Sequence, residues 1–165
     1  MQQGNDFTTS IQVFQSPLEA FKAINNVRGW WSQNIKGDTD KLQAEWFYRY
    51  KDMHVCRMKV TELVPGQRVV WQVVDNYFNF TEDQHEWQGD RIIFEIGSSN
   101  GKTDIQFTHE GLSPDNECYD ACYAGWTKYV QGSLRKLIEE GKGEPNPPEP
   151  DVVVADMIEQ FDLKG

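Results

Sequence analysis

The sequence predicts an α+β domain in which a curved, antiparallel, six-stranded sheet wraps around one long carboxy-terminal helix, and three observations predict it. Strand-like and helix-like patterns are segregated along the chain rather than alternating, which favours an antiparallel over a parallel sheet. Over residues 115–140 the apolar positions recur at three- and four-residue spacing, as in a helix with one buried face. Six earlier segments read as strands, and the last two are joined by Ser98-Ser99-Asn100-Gly101, a turn of hairpin type.

Phe7 to Phe14 places Phe7, Thr9, Ile11 and Val13 on one face and predicts the first strand. In Ser16-Pro17-Leu18-Glu19, serine is the N-cap, proline opens the helix and Glu19 completes a capping box. Leu18, Ala20, Phe21 and Ile24 form the apolar stripe of this helix; Asn25-Asn26 ends it, and a second short helix is expected around Val27 to Trp31. Lys36 to Asp40 reads as a polar break. Leu42 to Tyr50 and Met53 to Leu63 follow as two strands separated by Lys51-Asp52, with Ala44, Trp46 and Tyr48 sharing a face. Pro65-Gly66 turns the chain into a β-branched strand over 68–74, and Asp75 to Asp90 reads as a polar loop carrying Tyr77, Phe78, Phe80 and Trp87. Ile92, Phe94 and Ile96 mark the fifth strand and Thr103 to His109 the sixth. The stripe of the final helix is Tyr119, Cys122, Trp126, Val130, Leu134 and Leu137, and Gly141 terminates it.

One domain is expected over residues 1–142. Residues 143–150 contain four prolines in eight positions and predict an extended spacer. The acidic tail, 151–165, regains apolar residues, and a short docking helix is expected there through Val154, Ile158 and Phe161.

Sixteen Lys+Arg against 26 Asp+Glu give a formal charge of −10, which repels phosphate backbones and anionic lipid surfaces and argues against nucleic acid or membrane as partner. No apolar run approaches the length of a membrane-spanning helix. The opening MQQGNDFTTS has no basic leader followed by an apolar stretch, so a cytoplasmic location is expected. The three cysteines, Cys56, Cys118 and Cys122, are expected to be reduced.

Cys118 and Cys122 lie four apart on one helix face, and with His54, His85 and His109 they raise the question of zinc. No Cys-x-x-Cys or His-x-x-x-His pair accompanies them and only His109 is near in sequence, so two core thiols are the preferred reading and no metal or cofactor is predicted. A bridge between the two is disfavoured, because helical Cβ atoms four residues apart are about 5–6 Å distant. His109 alternates onto the same face as Ile105 and Phe107; without a nucleophile or paired carboxylate it reads as a core-edge histidine. No serine sits in a nucleophile elbow, no glycine loop cradles phosphate, and Glu45, Glu62, Glu86 and Glu95 do not group as an acid/base pair, so no catalytic residue is assigned.

A twisted six-stranded sheet is much wider than a helix about 10 Å across, so the sheet must curl, and such a grip leaves a void. The predicted cavity lies between the final helix and strands three, five and six. Its expected lining is Met58, Phe94, Phe107, Tyr123 and Trp126, with His109 as a polar contact at the edge.

The segments SPLEAF, EWQGDRIIFEI at 86–96, FTHEGL at 107–112 and CYDACYAGWTKYVQGSLRKLIEEGKGEP at 118–145 together resemble the START-like (SRPBCC) superfamily. The branch most similar is that of bacterial homologues of the activator of the heat shock protein ninety ATPase, over roughly residues 5–146. The resemblance implies the helix-grip fold and an apolar cavity for lipids, sterols, polyketides or similar molecules, with no one shared reaction. The eukaryotic co-chaperone naming the branch has an additional amino-terminal domain for which no room is expected before Phe7. Three functions follow from these readings. Non-catalytic binding of a small hydrophobic molecule comes first. A cyclase- or hydrolase-type enzyme would need His109, Arg57 or Glu95 to converge in the cavity. An interaction module would pair with a chaperone or with a second copy as a homodimer.

Overall fold

In the computed structural model, the described residues are 6–50, 54–78, 81–82 and 85–147. They form β1 (Phe7–Val13), α1 (Pro17–Asn25), α2 (Val27–Trp30), β2 (Ile35–Gly37), β3 (Glu45–Tyr50), β4 (His54–Val64), β5 (Arg68–Phe78), β6 (Arg91–Ser99) and β7 (Lys102–Glu110). A single carboxy-terminal helix follows as α3 (Tyr119–Trp126), a π-helical stretch (Thr127–Leu134) and α4 (Arg135–Glu140). All strands join one antiparallel sheet in the order β1-β7-β6-β5-β4-β3-β2. The architecture is consistent with the helix-grip arrangement.

The sheet has seven strands among the described residues, where the sequence predicts six. The extra one, β2, falls partly in the stretch read as a polar break. Three residues are too few to show alternation; what holds them is pairing to β3 and the Arg28 guanidinium, whose Nη2 donates to the carbonyls of Ile35 at 3.1 Å and Gly37 at 2.8 Å. Likewise β5 runs on to Phe78, through part of the predicted loop, because Asp75 to Phe78 pair with the start of β4. The Lys51-Asp52 turn and the apolar tail residues Val154, Ile158 and Phe161 lie outside the described residues.

The capping box forms as the sequence predicts: the Glu19 amide donates to Ser16 Oγ at 3.1 Å and the Ser16 amide to Glu19 Oε1 at 3.0 Å. β4 and β5 slip register twice, between Arg57 and Met58 and between Val60 and Glu62; such bulges bend and twist a strand pair, as a sheet curling around a helix requires. In the carboxy-terminal helix the buried apolar positions are Cys118, Cys122, Trp126, Val130, Leu134 and Ile138, spaced by four throughout, and Ser133 is buried beside them. At 3.6 residues per turn that spacing drifts about 40° per step. The wider π-helical turns counter the drift and keep the stripe on the sheet. Gly141 closes the helix in the left-handed region, φ 80°.

The concave face is filled at its centre by tryptophan. Trp30 and Trp31, at the end of α2, stack over Trp71 at 6.4 and 6.2 Å between ring centroids. Trp30 also meets Phe94 edge-on at 5.9 Å, and its indole N–H donates to the Ile24 carbonyl. Residues 143–147 run beside α2: the Gln33 amide donates to the Asn146 carbonyl and the Asn146 amide to the Trp31 carbonyl. Ser133 Oγ fastens the approach, donating to the Trp30 carbonyl at 2.6 Å and accepting from the Glu144 amide at 2.7 Å.

Candidate functional site

A cavity of about 320 Å3 opens where β3, the start of β4 and the end of β5 meet the first turns of the carboxy-terminal helix. The strand wall follows from register. Tyr50 pairs with His54 and His54 with Phe78, so all three side chains share the concave face, with Tyr48 two residues back on β3. Trp31 and Trp126 line the inner side and Trp87 the flank. On the helix, Ala121, Ala124 and Gly125 leave a gap where larger side chains would close it. Ala121, Ala124 and Lys128 are exposed and form the mouth.

Trp87 belongs to a loop rather than a regular element, and two contacts place it. Its amide donates to Asn76 Oδ1 at 2.9 Å, and the neighbouring Glu86 carboxylate accepts the amides of Glu117 and Cys118 at 2.6 and 3.1 Å. Glu86 thus caps the helix start, where Cys118 offers no side-chain cap of its own.

His54 is 8% exposed. Its ring lies 4.3 Å from that of Phe78, 4.7 Å from Trp87 and 5.2 Å from Tyr48. Burial, helped by the nearby His109, lowers its pKa to about 3, so the imidazole is neutral. Its Nε2 has no hydrogen-bond partner. Tyr48 is held as a phenol: burial first, then Tyr129, raise its pKa well above the ordinary value against the opposing Trp31 indole. The Tyr129 hydroxyl accepts from Asn146 Nδ2 at 2.9 Å, linking the rim to residues 143–147.

The six residues the sequence singled out are not brought together around this space. Trp126 alone lines it. Met58, Phe94 and Phe107 are fully buried nearer the middle of the sheet, where Trp30, Trp31 and Trp71 occupy the predicted void. Tyr123 is 49% exposed on the other shoulder of the helix, its ring 5.2 Å from Phe7.

His109 sits behind the wall rather than at the cavity edge. The Trp126 indole N–H donates to Nδ1 at 3.0 Å, and an indole nitrogen is a donor only, so Nδ1 is unprotonated. Nε2 therefore carries the proton and donates to Asp90 Oδ2 at 2.8 Å. Burial lowers the His109 pKa despite Asp90, and burial raises that of Asp90 despite His109. Both ring nitrogens are committed, and the imidazole serves to orient Trp126.

Arg57 pairs with Glu45 at 3.7 Å, and Glu95 with Arg68 at 2.7 Å, so neither converges on His109. Cys122 Sγ is 2.6 Å from Cys118 Sγ; both are free buried thiols, and mutual hydrogen bonding and burial raise the Cys122 pKa. The described residues contain no group of three or more His, Cys, Asp or Glu placed to hold a metal, and no helix among them is long and apolar enough to cross a membrane.

The residues that sequence reasoning missed carry two signals. His54 alternates with Cys56 and Met58 on an otherwise apolar face, beside Tyr48 and Tyr50 on the paired strand. Ala121 and Gly125, four apart on a helix opposite bulky rings, mark missing volume.

The family model described as "Activator of Hsp90 ATPase homolog 1-like protein" matches residues 18–139. The chain belongs to this family. Its structure is similar to the solution structure of the Aha1 dimer from Colwellia psychrerythraea, with TM-score 0.67 and 25% identity over 84% of this chain and 98% of that one. Protein MLL2253 from Mesorhizobium loti shares the fold at TM-score 0.64 and 11% identity, covering 81% of this chain and 95% of that one. So does DynU16, from the dynemicin biosynthetic locus, at TM-score 0.64 and 14% identity over 84% of this chain and 49% of that one. No curated protein matches the sequence.

Proposed function

We propose that this protein binds a small, largely apolar molecule, without transforming it, in the cavity between the β3–β5 end of the sheet and the carboxy-terminal helix. The observation that carries this is the wall itself: rings of Trp31, Tyr48, Phe78, Trp87 and Trp126 face Ala121 and Gly125 across about 320 Å3. That volume falls at the small end of the roughly 300–1,000 Å3 of ligand pockets, which are mostly apolar with a few placed polar groups. A guest that covers these rings gains about 25 cal/mol for each Å2 of apolar surface removed from water. Three buried thiols suit a reducing, cytoplasmic setting.

The test is uptake of an apolar naphthalene dye by wild type and by Gly125→Leu. A Cβ at Gly125 meets only Tyr129 Cε2, at an ordinary 3.7 Å, so the larger side chain enters the cavity rather than the core. Wild type should bind, and the variant should bind at least tenfold more weakly with an undiminished denaturation midpoint. No binding of any apolar probe by wild type would refute the reading. Self-association is a second reading, favoured by the Colwellia relative, whose structure is that of a dimer; sedimentation equilibrium of the full chain decides it.

A further inference from the structure

The cavity wall is largely apolar. Among the described residues that line it, three side-chain nitrogens are buried without a hydrogen-bond partner: Trp31 Nε1, His54 Nε2 and Trp87 Nε1. The two indoles can only donate, whereas His54 Nε2, in a side chain only 8% exposed, accepts or donates according to its tautomer. A buried polar atom without a partner is costly and seldom tolerated unless something else supplies the hydrogen bond.

We infer that the guest is a neutral, flat molecule of two or three rings carrying a hydroxyl, and that this hydroxyl bonds to His54 Nε2. The inference rests on the binding reading above and names the chemistry of its ligand. Flatness follows from the walls: Trp31 and Tyr48 are stacked at 4.1 Å, and Phe78 and Trp87 flank His54. A hydroxyl follows because it both donates and accepts, and so satisfies Nε2 in either tautomer. Neutrality follows because His54 stays uncharged down to a pKa of about 3, and a carboxylate buried beside an uncharged imidazole would lose its hydration without gaining a counter-ion. The cation that helps to line the cavity, Lys128, is at the exposed mouth, where an acid would sit in water and leave Nε2 unpaired.

Three probes of matched shape separate the cases: naphthalene, 2-naphthol and 2-naphthoate, titrated into the full chain and followed by the indole N–H resonances of Trp87 and Trp126. On wild type, 2-naphthol should bind about tenfold more tightly than naphthalene, and 2-naphthoate no more tightly than naphthalene. In His54→Phe the naphthol preference should shrink to within about twofold while naphthalene still binds. Should that variant fold poorly, the 15N shift of His54 Nε2 in wild type decides: 2-naphthol should move it and naphthalene should not. Equal binding of naphthalene and 2-naphthol, tightest binding by 2-naphthoate, or a naphthol preference that survives in His54→Phe would each overturn this inference while leaving the cavity a binding site. Failure of all three probes to bind would overturn both.

Discussion

Replacing His54 by phenylalanine should stabilise the protein, and the gain should grow as the pH falls. At neutral pH the substitution keeps a planar ring against Phe78, Trp87 and Tyr48 and removes an unpartnered buried nitrogen, which is worth about 1–3 kcal/mol. The acid term has a definite sign. The folded-state pKa of His54 is lowered to about 3 from 6.5, so below pH 6.5 the unfolded chain takes up a proton that the folded chain refuses. Stability attributable to this residue is therefore complete above pH 6.5 and is lost progressively as the pH falls towards 3. At pH 5.0 the loss is about 1.5 pH units at about 1.4 kcal/mol each, roughly 2 kcal/mol. His109, also lowered, acts in the same direction, whereas Asp90, raised, acts in the opposite one; both remain in the variant, so the difference between the two proteins isolates His54. Urea denaturation of wild type and His54→Phe at pH 7.5 and 5.0 measures it. With an m-value of about 2 kcal/mol per molar, the separation of midpoints should widen by about 1 M on acidification. Parallel loss of stability in the two proteins would show that His54 is solvated and that the ring cage is not what the structure describes.

Trp126→Ala should cost about 3–5 kcal/mol by denaturation midpoint, since the ring packs at 4.7 Å on Phe107 and 4.9 Å on Trp31. Trp126→Phe should cost a smaller amount, about 1–3 kcal/mol, because it retains most of the bulk but deprives His109 Nδ1 of its donor; an unchanged midpoint in Trp126→Phe would mean that the hydrogen bond contributes nothing. Gly143→Ala should loosen the segment beside α2, since the added Cβ would stand 2.5 Å from the Gly29 carbonyl and 2.8 Å from that of Ser133, both backbone atoms that cannot swing aside. Amide exchange at Asn146 and Gln33 should quicken severalfold, and unchanged protection would place the segment elsewhere.

Much of the scaffold was legible locally. Ser16 and Glu19 cap α1 because their spacing brings each side chain to the other's amide. Gly141 ends the final helix because glycine enters the left-handed region without a Cβ clash. β2 was not legible, since its stability comes from Arg28 and from β3 rather than from any pattern in three residues. The cavity was expected but displaced: periodicity shows that Met58, Phe94 and Phe107 face inward, yet not that Trp30 and Trp31 would arrive from α2 to cover them.

By itself, then, the sequence determined most of the strands and helices and which of their faces are apolar. These properties depend on neighbours within a few residues, where backbone geometry leaves few options. Tertiary structure alone decided where empty space remains, that Asp90 and Trp126 saturate His109, and that His54 is left with a free nitrogen in an aromatic wall. Those outcomes depend on how volumes and polar atoms from distant segments fit together, and the position of a void is set by the last side chain to fill its surroundings.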